Sequence, residues 1–425
     1  MSWSFWMAIA ITIITVWALI KRYETRLVLL TSGLVMALLS MKPLLALQQF
    51  DKSMTNPALI IAICSAMGFA GVVSLTKCDL HLVALLTKPL KRLGIFLLPA
   101  SMIVTGIVAI AIPSTAGCCA AVAPTLIPLL VRSGFKPVAA AAAVVASISP
   151  AFLNPGVSHN VFIAKLSNME VMQFIGGHAS VTIGLSLLVV VGLTVVCLFL
   201  KDYDKKSSST EAASGMDAAS NSELPEKPNV LYALASLVPV IVLITSSLLA
   251  PQLKMSVATA MIIGTIYAIV ITHTSPESVV KRFFDGMGKG YGNILGIIIA
   301  AGVFAAGLKS AGVIDVFIDY LTHAQSVAKL GGSIGPYLLG VLTGSGDAAA
   351  FAFNEAVTPH ATQFGLSPEK LGYLAAMAAS FGRQSSPIAG GMILVAGIAG
   401  VSPVDIVKRT APVMFVALVL LYILM

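Results

Sequence analysis

Apolar runs near the length that crosses a bilayer, roughly 20 residues, recur along this chain of 425 residues. Only 10% of the residues are charged, whereas a soluble globular chain is usually about one quarter charged. The composition therefore excludes a soluble enzyme, a disordered protein and a nucleic-acid binder, and it predicts an all-α polytopic membrane protein. The sequence predicts ten spans, at about 2–20, 27–47, 57–75, 138–164, 175–200, 230–250, 254–272, 291–308, 371–399 and 410–424.

Two further apolar stretches, 94–133 and 331–364, are interrupted near their middles by small polar residues. The interruptions are Pro113–Gly117 in the first stretch and Thr343–Asp347 in the second. Non-helical backbone at membrane depth is tolerated only where protein buries it or where it lines a wet cavity. We therefore expect each stretch to be a re-entrant helical hairpin, the first entering from the cytoplasm and the second from the periplasm.

The basic residues support this topology. With the hairpins returning to their own side, 18 Lys and Arg residues fall on one side of the membrane and 7 on the other, and Arg383 is left within a span. Basic loops stay in the cytoplasm, so the first side is predicted to be cytoplasmic and both termini periplasmic. The apolar run 2–20 lies before its basic cluster in the sequence, whereas a signal peptide carries its basic residues before the apolar segment. We therefore expect 2–20 to be a retained span and not a signal peptide.

The two halves of the chain resemble each other. A shift of 231 positions aligns Ser114 with Ser345 and Ser149 with Ser380, and it also aligns two prolines and a glycine. Chance similarity between helices rich in small residues is the alternative. Each half has an odd number of spans, so the second would be inverted, as in many secondary transporters. The predicted domains are a first repeat at 1–200, a flexible cytoplasmic linker at 201–229 and a second repeat at 230–425.

A long span follows each hairpin and is broken in its middle, at 147–160 and at 380–387. Proline removes a backbone donor and interrupts a helix. The freed carbonyl groups can coordinate a cation, and the new helix N-termini can face an anion. The breaks therefore predict a binding site, although simple proline kinks would give the same pattern.

Arg383 lies about a dozen residues into a span, where a charge costs roughly 3 kcal/mol or more. Its planar guanidinium suits a carboxylate, so we expect it to bind an anionic substrate. The alternative is an internal ion pair with Asp347 or Glu355. Asp347 could hold a cation or take up a proton, or it could only cap the returning helix. His159 could respond to protons near neutral pH, or it could simply be hydrogen-bonded in place.

No enzyme constellation occurs in the sequence. A phosphate-binding P-loop, an H-E-x-x-H motif and paired Asp-rich motifs are all absent. The five cysteines are odd in number and form no C-x-x-C pair, which argues against a disulfide framework or a metal site. A channel would need a continuous pore, and inverted hairpins favour alternating access instead.

Several segments identify a family. The hairpin tip Thr343-Gly344-Ser345-Gly346 and the segment Gly382-Arg383, followed by Ser386-Pro387, resemble the anaerobic four-carbon dicarboxylate carriers of the DcuC type. The resemblance covers most of the chain and is most specific after residue 280. Further matching segments are Phe284–Gly288, Phe351–Phe353, Gly302–Leu308 and Gly400–Thr410, and more loosely Lys88–Lys91.

The resemblance implies a scaffold domain and a mobile transport domain in a homodimer of the bacterial inner membrane, working as an elevator. It implies efflux or exchange of succinate, fumarate or malate, coupled to H⁺ or Na⁺, with no other cofactor. The implied substrate-binding residues are Ser114, Thr115, Gly117, Asn154, Ser158, Ser345, Gly346, Arg383, Ser385 and Ser386. The implied ion-coupling residues are Thr343, Asp347, Pro155 and His159.

The chain departs from the family at two places. It has Asp347 where the family usually has Asn, and its 154–159 stretch also differs. A cation/proton antiporter with Asp347 as ion ligand, a carrier of another organic anion, and a structural membrane subunit therefore remain alternatives.

Overall fold

The computed structural model describes residues 3–21, 23–88, 90, 93–112, 114–204, 225, 227–249, 251–253, 255–316 and 325–425. Within these ranges the chain is helical, and its only β-type pairing is an isolated antiparallel bridge between Phe135 and Tyr203. Most of the predicted linker, 205–224 and 226, lies outside the described residues.

Ten described helices belong to the first half: α1 Trp3–Ile20, α2 Thr25–Leu39, α3 Pro43–Met54, α4 Pro57–Leu75, α5 Cys78–Thr87, α6 Leu97–Ala111, α7 Thr115–Arg132, α8 Pro137–Ala146, α9 Ser158–Leu166 and α10 Val171–Phe199. Nine described helices belong to the second half: α11 Val230–Ala235, α12 Val238–Leu249, α13 Val257–Thr272, α14 Pro276–Ser310, α15 Gln325–Thr343, α16 Gly346–Ala356, α17 Pro368–Gln384, α18 Gly390–Ala399 and α19 Pro403–Leu424. Short 3₁₀ turns occupy Gly94–Phe96, Ser149–Leu153, Pro251–Leu253 and Thr358–Phe364.

Seven of the described helices are long and apolar enough to cross a membrane, and an eighth span is present if the bent pair at 137–166 counts as one. The multi-pass prediction is therefore confirmed. Helices α1, α4, α10 and α19 match the predicted spans 2–20, 57–75, 175–200 and 410–424, although α19 begins earlier, at Pro403.

Two predicted spans are wrong as single helices. The span 27–47 is divided because α2 ends at Leu39, Met41 has a positive φ of 58°, and Pro43 starts α3. A proline disfavours helical backbone in the residue before it, so α2 cannot continue through this point. The span 230–250 is likewise divided, with Pro239 in the first turn of α12.

The predicted span 291–308 is too short. Helix α14 begins at Pro276 and continues for 35 residues, passing through a π-helical turn at Gly290–Leu295. Its first part is amphipathic and carries Lys281, Arg282 and Asp285, so an apolar window detects only the second part.

Both predicted helix breaks are present. The first separates α8 from α9 through the turn Ser149–Leu153, and the segment Pro137–Leu153 meets Ser158–Leu166 at a bend of 41°. The second separates α17 from α18 between Gln384 and Gly390. Each break contains a proline, which lacks the backbone NH that a continuous helix needs.

The stretch 94–133 contains two contacting helices, α6, which ends at Ala111, and α7, which begins at Thr115. The residues 94–111 and 115–132 are both among the seven long apolar helices, so their length does not separate a re-entrant hairpin from two full spans. The second stretch begins earlier than predicted, with α15 from Gln325, and turns at Gly344 and Ser345 into α16. The re-entrant topology stays a prediction.

The buried apolar side chains form two main cores, and each draws on both halves of the sequence. We call them core A and core B. Core A takes its residues from 83–197 and 328–421, so it includes both candidate hairpins and both breaks. Core B takes its residues mainly from 8–78 and 235–311. Val161, Phe162 and Phe351 also belong to core B, which places α9 and α16 at the boundary between the cores.

A buried ion pair closes one end of core A. Arg409 in α19 donates from Nε and Nη2 to the two carboxylate oxygens of Asp202, at 2.7 and 2.9 Å. The Asp202 side chain is fully buried, and Lys136 Nζ lies 3.4 Å from it. The backbone NH of Lys136 also donates to the carbonyl of Asp202. This clasp joins the end of α10 to α19 and to the turn between α7 and α8.

Candidate functional site

The two turns between paired helices have matching caps. The hydroxyl of Ser114 accepts from the backbone NH of Gly117 at 3.3 Å, at the start of α7. The hydroxyl of Ser345 accepts from the NH of Ala348 at 3.5 Å, at the start of α16. The two serines correspond at the predicted shift of 231, and each hydroxyl accepts from the backbone NH three residues later.

Thr343 shapes the second tip. Its hydroxyl donates to the carbonyl of Leu339 at 2.7 Å and accepts from the NH of Ser345 at 3.1 Å. Gly346 follows at the start of α16, and a Cβ there would lie 2.9 Å from the carbonyl oxygen of Ala379 in α17. These two predicted residues therefore fix the tip against the helix that carries Arg383.

The first break contacts the end of α6. The Asn154 side chain donates to the carbonyl of Ile110 at 2.6 Å and accepts from the NH of Gly156 at 2.6 Å. Asn160 donates to the carbonyls of Phe152 and Asn154, at 2.7 and 2.9 Å. The side-chain amide nitrogen and oxygen of Asn154 thus both stabilise the backbone of the break. Its role as a substrate ligand stays a prediction.

The second break lies between both tips. A Cβ at Gly344, whose φ is +70°, would lie 3.0 Å from backbone atoms of Ile388 and Ala389. A Cβ at Gly391 would lie 3.2 Å from the methyl group of Thr115 at the first tip. The break residues therefore touch one tip from each half of the chain.

The two breaks also meet each other. The amide nitrogen of Gln384 lies 3.3 Å from the hydroxyl of Ser149 in the first break and 3.2 Å from that of Ser380. Thr410 donates to the Gln384 carbonyl at 2.9 Å. Sequence reasoning missed Gln384 as well as Asn160; their polar side chains inside broken apolar spans were the available signal.

Asp347, Arg383 and His159 come together at this meeting point. Asp347 Oδ1 lies 3.2 Å from Arg383 Nη1 and 3.0 Å from His159 Nε2. The ion pair considered as the alternative for Arg383 is therefore present, with Asp347 and not Glu355 as the partner. The Asp347 side chain remains 42% exposed, whereas those of Arg383 and His159 are 20% and 9% exposed.

Arg383 keeps unused hydrogen-bonding capacity. Its Nε is buried and has no partner among the described residues, and its bond to Asp347 engages only Nη1. A guanidinium can hold a second carboxylate through another edge of its planar fork. Arg383 therefore has donors that Asp347 does not occupy, and they are the donors that a second carboxylate would use.

His159 is fixed by aromatic neighbours. Its ring stacks on Phe152 with centroids 5.8 Å apart and contacts Phe351 at 4.5 Å. Its Nδ1 is buried without a partner among the described residues. With the ring in contact with both side chains, Nε2 lies 3.0 Å from Asp347 Oδ1.

The remaining predicted residues lie along the breaks. Ser385 donates to the carbonyl of Phe381 and accepts from the Tyr337 hydroxyl at 3.3 Å. Ser386 is buried and accepts from the NH of Ile388 at 3.4 Å. Half-buried Ser158 begins α9 and buried Pro155 lies within the first break. Among the described residues, no group of three or more His, Cys, Asp or Glu side chains is placed to hold a metal ion.

Close backbone packing positions Arg383. A Cβ at Gly340 in α15 would lie 2.6 Å from the carbonyl oxygen of Ala379 and 3.1 Å from the NH of Arg383. We expect Gly340→Ala to destabilise the protein by about 1–3 kcal/mol, because backbone atoms cannot give way as a side chain can. Gly335→Ala, in the same helix with nothing within 4 Å, is the matched control. Thermal melting in detergent checks both, and equal melting temperatures for the two variants would refute the packing argument.

A comparison with protein families matches residues 49–425 to the family described as C4-dicarboxylate anaerobic carrier, DcuC. A putative uncharacterized transporter of Haemophilus influenzae is 45% identical over 279 residues, covering 64% of this chain and 99% of that protein. The anaerobic C4-dicarboxylate transporter DcuC of Escherichia coli K12 is 29% identical over 378 residues, covering 86% of this chain and 79% of its own length. Among solved structures, the YdaH transporter of Alcanivorax borkumensis matches with a TM-score of 0.59 and 15% identity over 97% of both chains, which is a likeness of fold.

Proposed function

Because the chain belongs to the DcuC family of C4-dicarboxylate anaerobic carriers, we propose that it moves succinate, fumarate or malate across the bacterial inner membrane by secondary active transport. The family and the curated relatives are transporters and not enzymes. Efflux or exchange is the proposed direction. A homodimer with both termini in the periplasm is the proposed assembly.

Arg383 is the observation that carries the substrate proposal. It lies where two breaks and the second tip meet, and its Nε has no partner among the described residues. One substrate carboxylate would bind this guanidinium, and the second would face hydroxyl and amide groups of the tips, which the helix dipoles make favourable for an anion.

Asp347 supports ion coupling. Its charge is balanced by Arg383 and faces His159 in the structure. A substrate carboxylate that competes for Arg383 would leave the partly exposed Asp347 carboxylate without its counter-charge and beside a second negative charge, which is unfavourable. A proton or Na⁺ taken up with the substrate would restore the balance.

The two cores support an elevator mechanism. Core A holds the tips and the breaks, while α9 and α16, which carry His159 and Asp347, contribute buried residues to both cores. A binding site at the boundary between two packed bodies reaches alternate sides of the membrane if one body slides against the other. Core A would be the moving body.

A cation/proton antiporter is the second candidate, and the Arg383–Asp347 ion pair is the observation that favours it. In that case Asp347 is the ion ligand and Arg383 balances the charge of the empty site. This candidate predicts cation-driven proton movement with no organic acid present.

Counterflow of labelled succinate in proteoliposomes tests the proposal. We expect accumulation driven by internal unlabelled succinate, and replacement of sodium by choline will separate sodium coupling from proton coupling. Fumarate and malate inside the vesicles compare the substrates. A well-folded protein that shows no dicarboxylate counterflow but moves protons against a cation gradient would overturn the proposal in favour of the antiporter.

A further inference from the structure

A cavity lined partly by charged and polar side chains lies away from the Asp347 site, at the other end of α16. Its volume is about 340 Å³, within the range that holds small ligands. Glu355 lines it and follows Asp347 by two turns of helix, a rise of about 12 Å. Residues of α3, α14, α16 and the turn at 358–364 line it, and the buried apolar lining residues Ala305, Ile314 and Ala356 form a small cluster apart from cores A and B.

The base of the cavity is an ordered polar network. The amide nitrogen of Gln49 lies 3.3 Å from Glu355 Oε1 and 3.0 Å from the hydroxyl of Ser53. The absence of a side chain at Gly302 allows this, because a Cβ there would lie 2.7 Å from the Ser53 hydroxyl and 3.2 Å from the Gln49 nitrogen. Helix α14 therefore approaches α3 closely enough to hold the polar groups in place.

Basic groups outnumber acidic ones in the lining. Two exposed lysines, Lys52 and Lys309, and the half-buried His360 line the cavity together with the single carboxylate of Glu355. Asp315 lies outside the lining but near His360. Two ammonium groups against one carboxylate give the lining a net positive charge, which raises the local concentration of small anions.

We propose that this cavity is a second, weaker binding site for small carboxylate anions, an outer vestibule that delivers substrate to the Arg383 site. The inference rests on the proposed function for its role in transport, although anion binding itself does not. Lys52 and Lys309 both fall on the side that the charge count predicts to be periplasmic. Glu355 opposes the anion and keeps the binding weak, as a site that must release its ligand onward requires.

Protection of lysines from acetylation tests the binding without any transport. We expect succinate to slow acetylation of Lys52 and Lys309 in the purified full chain by at least about three-fold, measured by mass spectrometry. Lys370, which is exposed and outside the lining, is the internal control, and neutral succinamide is the ligand control. Equal protection of all three lysines, or none, would overturn the proposal.

Transport kinetics test the vestibule role. We expect Lys52→Gln and Lys309→Gln each to raise the external KM for succinate about five-fold with little change in Vmax, as for the loss of one partly exposed charge. Glu355→Gln keeps an oxygen that can accept from Gln49 but removes the negative charge, so it should lower the KM for succinate. If the cavity bound a cation instead, the same substitution would reduce transport. Lys370→Gln should keep the wild-type KM. Unchanged KM in both lysine variants would overturn the vestibule role. Absence of transport in the wild type would instead overturn the proposed function, and the result of the acetylation experiment would still report anion binding by the cavity.

Discussion

Replacing Arg383 by Gln should reduce succinate counterflow at least about 100-fold. The substitution removes the guanidinium that would bind substrate and leaves Asp347 without its counter-charge. Hydrogen bonds to charged groups contribute about 1.5–3 kcal/mol each, and 100-fold corresponds to about 2.7 kcal/mol, so the lost bonds from the guanidinium to a substrate carboxylate account for a change of that size. Initial rates in proteoliposomes measure the effect. Lys370→Gln, on the same helix but exposed, should keep wild-type counterflow.

A double variant separates the two roles of Arg383. Arg383→Gln combined with Asp347→Asn gives a neutral pair. The double variant therefore has no unpaired charge at this position, but it still lacks the guanidinium that would bind a substrate carboxylate. If Arg383 binds substrate, the double variant should be as inactive as the single one. Recovery of counterflow in the double variant would show that Arg383 only neutralises Asp347, and the substrate proposal for it would be wrong.

Arg409→Ala should be the most destabilising of the stability variants, by about 3–5 kcal/mol. It leaves the fully buried Asp202 carboxylate with only the more distant, half-exposed Lys136, and an uncompensated buried charge carries a cost of that size. The melting temperature of the purified protein in detergent measures it.

The neighbouring residue provides the control for the clasp. Lys408 pairs with Asp405 at 2.8 Å, but both side chains are about half exposed or more, and such pairs contribute about 0–1 kcal/mol. Lys408→Ala should therefore melt close to the wild type. A similar loss of stability in both variants would mean that the Asp202–Arg409 pair is not a distinct stabilising element.

The sequence predicted the positions of the breaks and tips because proline and glycine act locally. Pro150, Pro155 and Pro387 interrupt the backbone wherever the chain goes afterwards, and Gly344 has the positive φ that its turn requires. The resemblance to the family supplied the predicted ligands in these segments, whereas Arg383, Asp347 and His159 were singled out by their charge or polarity within apolar stretches. The multi-pass class followed from composition alone.

The contacts between these segments could not be predicted in the same way. His159 and Asp347 are 188 positions apart, and nothing local brings them together or chooses Asp347 over Glu355 as the partner of Arg383. Gln384 was missed because its importance lies in a contact with Ser149, 235 positions away. The early start of α14 was missed because its first part is amphipathic and not apolar.

The division of buried residues between cores A and B has a consequence for biosynthesis. Neither core is complete within one half of the chain, since core A needs residues as late as Leu421 and core B needs α4 as well as α14. The helices that are inserted first therefore lie in the bilayer before the helices that complete their core have been synthesised. The two halves therefore mature together, after synthesis has reached the last helix, and not as independently folding units released one after the other.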